Sequence, residues 1–163
     1  AVEEGEGAEV ENGVTVVDVE GGYVLENAFL NVGLSYGGEI VHLYDKVAGR
    51  VVLAAGERGN LFQAFEDRPM DWDAWDIDIF YDDKQYAAEP ATRAKIIEHG
   101  PLRVGVEIER PLLNSRIVQK IYLYRGQRRL DFETWVDWRE RHVLLKVAFP
   151  VGLKNWARPG RAQ

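Results

Sequence analysis

Between residues 66 and 83 the chain reads E-D-R-P-M-D-W-D-A-W-D-I-D-I-F-Y-D-D, and this is where acid chemistry is concentrated. Glu66, Asp67, Asp71, Asp73, Asp76, Asp78, Asp82 and Asp83 face a single arginine, Arg68. The stretch alone therefore carries −7, equal to the formal net charge of the whole chain. Four kinds of chemistry suit such a composition: a calcium loop, a catalytic acid pair, a sugar platform, or a solvated strand edge.

The calcium reading fails on spacing. A loop counted from Asp71 needs glycine at its sixth position and glutamate at its twelfth, but those positions hold Asp76 and Asp82. Two carboxyls about 5–10 Å apart would serve glycoside hydrolysis, yet so many acids in so short a stretch meet that distance by chance. Trp72 and Trp75 add flat apolar faces beside multi-acceptor oxygens, and sugars are recognised by that combination: C–H faces stack on rings while hydroxyls donate to carboxylates. The plain alternative is an edge strand. Across Asp76–Ile79 the acids Asp76 and Asp78 alternate with Ile77 and Ile79, and outward charge discourages edge-to-edge pairing. A core role for one of the two tryptophans is an equal alternative. Arg68 is placed to neutralise Asp67 or Asp71, and Pro69 fixes an extended or turned backbone before the cluster.

The elements that must position this stretch read as strands. Val14–Val19 is β-branched and ends at Gly21-Gly22. The run 28–36 meets Gly37-Gly38 and then 39–44, the pattern of a glycine-turn hairpin. Residues 102–111, 116–124 and 130–138 alternate over eight to ten positions, with 125–127 as a hairpin loop, and 142–151 supplies another strand. Period-two alternation of this length predicts an all-β fold, an antiparallel β-sandwich of long meandering strands. Short helical turns fit only near 45–49 or 85–92. Trp135 and Trp138 fall on opposite faces of one strand, which places at least one of them in the core. Arg139-Glu140-Arg141, and Arg125, Arg128 and Arg129, read as loop charges.

Several functional classes find no support. The 163 residues contain no cysteine, so there is neither a disulfide frame nor thiolate chemistry, as suits a reducing, cytoplasmic setting. No dense basic stripe invites nucleic acid, and no apolar run approaches the ~20 residues of a membrane helix. His42, His99 and His142 are too scattered in sequence for a zinc motif, and Ser35 and Ser115 lack a nucleophile elbow. The chain divides into an acidic lead-in (1–13), a β-sandwich (14–151) and a basic tail (152–163) holding Lys154, Arg158 and Arg161.

Three stretches carry a resemblance. Asn60-Leu61-Phe62-Gln63-Ala64-Phe65-Glu66-Asp67-Arg68-Pro69, continuing to Trp72, Asp73, Ala74, Trp75, Asp76, Ile77, Asp78, Phe80 and Tyr81, is similar to the central β-domain of α-mannosidases of glycoside hydrolase family 38. Leu43-Tyr44-Asp45-Lys46 with Gly49-Arg50-Val51-Val52-Leu53, and Val136–His142 followed by Leu144–Pro150, resemble hairpin and strand motifs of the same enzymes. The resemblance implies a sandwich within a galactose-mutarotase-like supersandwich. It also implies a parent that hydrolyses α-mannosides with zinc held in a separate catalytic barrel, so that this chain itself holds no cofactor and no catalytic residue. Asp67, Arg68, Trp72, Asp73, Trp75, Asp76 and Asp78 become the residues expected to face that barrel or a mannose-containing glycan. After Val151 the family pattern continues into strands this chain does not match, so an incomplete sandwich with open edges, prone to self-association, is expected. The alternative function is a stand-alone carbohydrate-binding module using Trp72 and Trp75. A purely structural β-domain with an acidic patch is the third.

Overall fold

The computed structural model describes residues 13–152 other than 73, 74, 78 and 88. It is built of antiparallel strands in three sheets. The first contains β1 (Val14–Val19), β2 (Gly22–Asn27), β3 (Leu30–Ser35), β4 (Ile40–Asp45) and β5 (Arg50–Val51), a meander in chain order. The second has the order β11 (Leu130–Asp137), β10 (Ser115–Tyr124), β9 (Arg103–Leu112), β8 (Arg93–His99). The third sets β6 (Leu61–Glu66) between β12 (Val143–Ala148) and the short β7 (Gln85–Tyr86). The expected all-β sandwich is present.

The inward row of β9 explains how these sheets combine. Val104, Val106 and Ile108 join Ile121 and Leu123 of β10 against Leu25, Val32, Leu34 and Ile40 of the first sheet, closing the larger core. Two turns of the pleat further on, Leu112 and Ile117 pack with Phe62 and Ala64 of β6, closing a smaller core under the third sheet. One wall serves two cores, because alternate residues of a strand share a face. Gly22 lets β2 and β3 approach: a Cβ there would stand 1.8 Å from the carbonyl oxygen of Leu34.

Polar groups lock the larger core at its end. Asn27 is fully buried and satisfied, its amide nitrogen donating to the carbonyls of Tyr124 and Gln127 at 2.8 Å each, its oxygen accepting from the amides of Phe29 and Leu30. Beside it Arg128 donates to the buried carboxylate of Asp45, which also accepts from the amides of Val47 and Ala48. Arg128, expected to be a loop charge, instead ties the β10–β11 turn to the end of β4. The Arg128 hydrogen bond leads in holding the Asp45 carboxyl below its ordinary value.

Several elements depart from the sequence reading for local reasons. β8 hides its period because the register shifts between Ile96 and Glu98, doubling the apolar Ile96-Ile97 pair. Residues 85–92 begin as a strand, and the 3-10 turn stands at Tyr81–Asp83 instead. Residues 76–77 and 79 belong to no strand, so the expected alternation has no sheet to face, and Ile77 and Ile79 are both exposed. Trp135 and Trp138 are 55% and 39% exposed, so neither is core, because β11 is an edge strand and ends at Asp137.

Arg110 is the anomaly on the inward row. It falls between Ile108 and Leu112, is only 7% exposed, and stacks its guanidinium 4.9 Å above the Phe62 ring. Its second terminal nitrogen has no hydrogen-bond partner among the described residues. Burial pushes its pKa down, only partly offset by Glu39. An orphaned buried donor costs about 1–3 kcal/mol, partly repaid here by the ring contact. Arg110→Met should therefore raise stability by about 1 kcal/mol, shifting the urea midpoint upward with an unchanged slope.

Ion pairs of the second sheet contribute to the acid response. Glu98 and Glu109 lie below their ordinary value of 4.5, chiefly through hydrogen bonds from Arg103 and Arg116. A carboxyl lowered on folding stabilises fully above its ordinary value, and that contribution is lost as pH falls through the lowered one. Stability followed by urea unfolding should be flat from pH 7 to pH 5 and decline steadily below about 4.5.

Candidate functional site

The acidic loop grows out of β6. Phe65 is buried, and its ring meets Tyr81 edge-on at 5.4 Å and 85°. Lys146 of β12 donates from Nζ to the Tyr81 hydroxyl at 2.7 Å while standing 4.5 Å from that ring's centre and 5.4 Å from the Phe65 ring. Tyr81 opens the 3-10 turn, so this clamp fixes where the loop returns to the sheet. At the departing end, the Asp67 amide donates to the carbonyl of His142 at 2.8 Å. Both feet of the loop are therefore pinned to β12 and the turn before it.

Charge at the loop's root is paired. Arg68, expected against Asp67 or Asp71, instead places Nε 3.2 Å from Glu66, which Lys84 also meets at 3.0 Å. The Lys84 hydrogen bond, then Arg68, holds the Glu66 carboxyl below its ordinary value against the opposing effect of burial. Asp67 is different: its Oδ1 is enclosed and has no hydrogen-bond partner among the described residues. A carboxylate oxygen in that state is an acceptor awaiting a donor.

Beyond the root, the loop presents apolar surface outward. Met70, Trp72, Trp75 and Ile79 are 94%, 78%, 91% and 79% exposed, and Phe80 is exposed as well. The core role allowed for one tryptophan of the loop is not taken. Trp72 has φ of 60°, a left-handed conformation uncommon for a bulky residue, and its carbonyl accepts the amides of Trp75 at 2.9 Å and Asp76 at 3.2 Å. This tight turn turns both indoles outward. A cleft of about 550 Å³ lies between Arg68, Pro69, Met70, Asp71, Trp72 and His142.

Of the residues singled out in the sequence, Arg68 and Trp72 line that cleft, Asp67 sits at the departing end of the loop, and Trp75 and Asp76 lie on the exposed turn beyond. Asp73 and Asp78 lie outside the described residues. His142 is the addition. Sequence treated it as a scattered histidine, but the turn bearing it is held in place. Glu140 accepts from the Asn114 amide at 2.7 Å and the Ser115 hydroxyl at 2.8 Å, and Ser115 accepts from the Arg139 amide. Burial pushes the Glu140 carboxyl up, but the bonds from Ser115 and Asn114 outweigh it and hold it low. The nearby motif of tryptophan, glutamate and histidine was the available signal. Among the described residues no three His, Asp or Glu side chains converge as a metal set, and no helix is long and apolar enough to cross a membrane.

Fold and loop together define an all-β domain that displays an aromatic–acidic loop. The chain belongs to glycosyl hydrolase family 38: residues 25–157 match the glycosyl hydrolases family 38 C-terminal domain. It is 36% identical over 135 residues to alpha-mannosidase G of Dictyostelium discoideum, covering 79% of this chain and 12% of that protein. It is 33% identical over 150 residues to alpha-mannosidase 2C1 of Homo sapiens, covering 86% of this chain and 14% of that protein. The chain thus spans about an eighth of the length of these relatives.

The clamp is testable. Lys146→Met removes the hydrogen bond to Tyr81 and the cation over both rings, at a cost of about 1–2 kcal/mol. Limited proteolysis should then cut within 68–84 several-fold faster than in the unaltered chain, with β9 fragments surviving equally in both.

Proposed function

We propose that this chain is the β-sandwich part of an α-mannoside hydrolase, inert by itself, whose 67–80 loop packs against the catalytic part and borders its sugar pocket. The carrying observation is that the loop's large apolar side chains point to solvent while both its feet are rigidly held. A large exposed apolar patch on a held scaffold marks a docking surface. The relatives named alpha-mannosidase are roughly seven- to eightfold longer than the matched region, which leaves room for a catalytic domain elsewhere in such a polypeptide. Asp67 would accept from a donor supplied across that contact, and Asp71 and Asp76 would stand at its polar rim.

A second reading, a free-standing carbohydrate module, is favoured by the exposed Trp72 ring beside Arg68 and Asp71 in one cleft. The two readings separate experimentally. Under the first, the chain turns over no chromogenic α-mannoside with or without added zinc, and mannobiose titrated to millimolar levels gives no saturable heat. In the longer polypeptide, Trp72→Ala and Trp75→Ala should each lower kcat/KM about 10–100-fold through misplacement at the pocket edge. Saturable mannobiose binding by the chain alone, abolished by Trp72→Ala, would instead establish the module, and turnover by the chain would refute both.

A further inference from the structure

The two larger sheets turn different surfaces to water. On the outer side of the second sheet, Lys95, Glu107, Lys120 and Glu133 are register neighbours from β8 to β11. Lys95 meets Glu107 at 3.0 Å, and in a nearby row Arg116 meets Glu109 at 2.7 Å. That is a charged, solvated face. The first sheet sends Leu25, Val32, Leu34 and Leu43 to the larger core, so strict alternation turns Val24, Gly33 and Tyr44 the other way. Among the described residues, the one charge that β1 to β5 direct outward at pH 7 is Glu26, and Lys46 meets it at 2.6 Å.

This outer face is apolar as well as neutral. Val17, Val24, Gly33 and His42 are register neighbours across β1 to β4, and Tyr44 pairs with Val51 in the next row. Val17, Val19, Val41 and Val51 are all exposed. The register shifts between Gly33 and Leu34, which sets Val41 and His42 together against one glycine. A Cβ at Gly33 would stand 3.2 Å from the His42 Cβ and 3.4 Å from the Val41 Cγ2. The glycine thus lets both residues lie low across the sheet. Beside them the His42 and Tyr44 rings stand parallel within 6°, their centres 6.4 Å apart.

A flat, neutral sheet face meets its own copy without bringing like charges together, and a two-fold axis makes the contact self-complementary. Side chains of two such faces fill the ~10 Å between packed sheets. The surface left exposed here is on the order of 600 Å² per copy, about 1,200 Å² in all, which reaches the lower end of specific interfaces. The second sheet has no such option, since its rows would set cation against cation and acid against acid in many registers.

We propose that two copies of this chain pair through the outer face of the first sheet, with Val24, Val41 and His42 at the centre and the Glu26–Lys46 pair at the rim. The contact is modest in area, so the dimer forms only at raised concentration.

Sedimentation equilibrium on the whole chain should show monomer near about 1 μM and mostly dimer by about 200 μM. Val17→Lys and Val41→Lys, both at exposed positions, should each weaken association roughly tenfold or more by burying an unpaired charge, with an unchanged urea midpoint. Glu133→Lys, on β11, should leave association as it was. If the lysine variants do not fold, radical footprinting of the unaltered chain decides: labelling of His42 and Tyr44 should fall several-fold across the same concentrations while that of Trp135 stays level. Monomer throughout that range, face variants that associate as before, or shielding of Trp135 in place of Tyr44 would each overturn the assignment, the last in favour of pairing through the edge of β11.

Discussion

Everything in this domain depends on one strand being asked to serve two cores. β9 presents Val104, Val106 and Ile108 to the first sheet and Leu112 to the third, and β10 repeats the division with Ile121 and Leu123 on one side and Ile117 on the other. The β9–β10 pair is the longest ladder in the molecule, with ten register partners, which suits a shared wall. Because side chains alternate strictly, a slip of one residue would turn both apolar sets outward at once. Register here fixes the positions of all three sheets together.

The joint between the cores is where polar groups collect. Arg110 occupies the inward position between the two apolar sets. Asn60, buried and at φ of 57°, donates to the Gly38 carbonyl and to Gln119, and Gln119 reaches on to Thr134. Asn60 is the residue just before β6, so this network sets where the third sheet begins. The third sheet in turn carries the acidic loop. The position of Trp72 and Trp75 is thus traceable, contact by contact, to the polar seam between the cores.

Much of this was legible in the sequence because alternation survives wherever a strand has one dry and one wet face. β10 and β11 read cleanly for that reason, and so did the hairpin glycines. β8 did not, since its bulge breaks the period at Ile96-Ile97. β2 was masked because its inward position at Asn27 is polar, its burial made possible by four hydrogen bonds that no local pattern announces. The acidic loop was misread as a possible edge strand on the same logic: Asp76–Ile79 has the period, but a period needs a neighbouring strand, and none is there among the described residues. The long-range ties, Asp45 to Arg128 and Asp67 to His142, join residues more than seventy positions apart and leave no trace in local spacing.

The loop's physical character follows from the contrast between its root and its crest. At the root, charges are matched: Glu66 meets two cations, and Lys146 is spent on two rings and a hydroxyl. At the crest the contrast is exposure. Large apolar side chains stand in water, and the backbone at Trp72 adopts a conformation that a bulky residue reaches only when its surroundings enforce it. A loop selected only to stay solvated would keep its carboxylates and dispense with the indoles. A loop selected only for the core would turn at least one indole inward. Holding both indoles outward on a doubly anchored turn, with an enclosed Asp67 oxygen that meets no donor among the described residues, is what the proposed docking surface requires. Under that proposal the acidity that first draws notice is the rim of the surface, and the tryptophans are its centre.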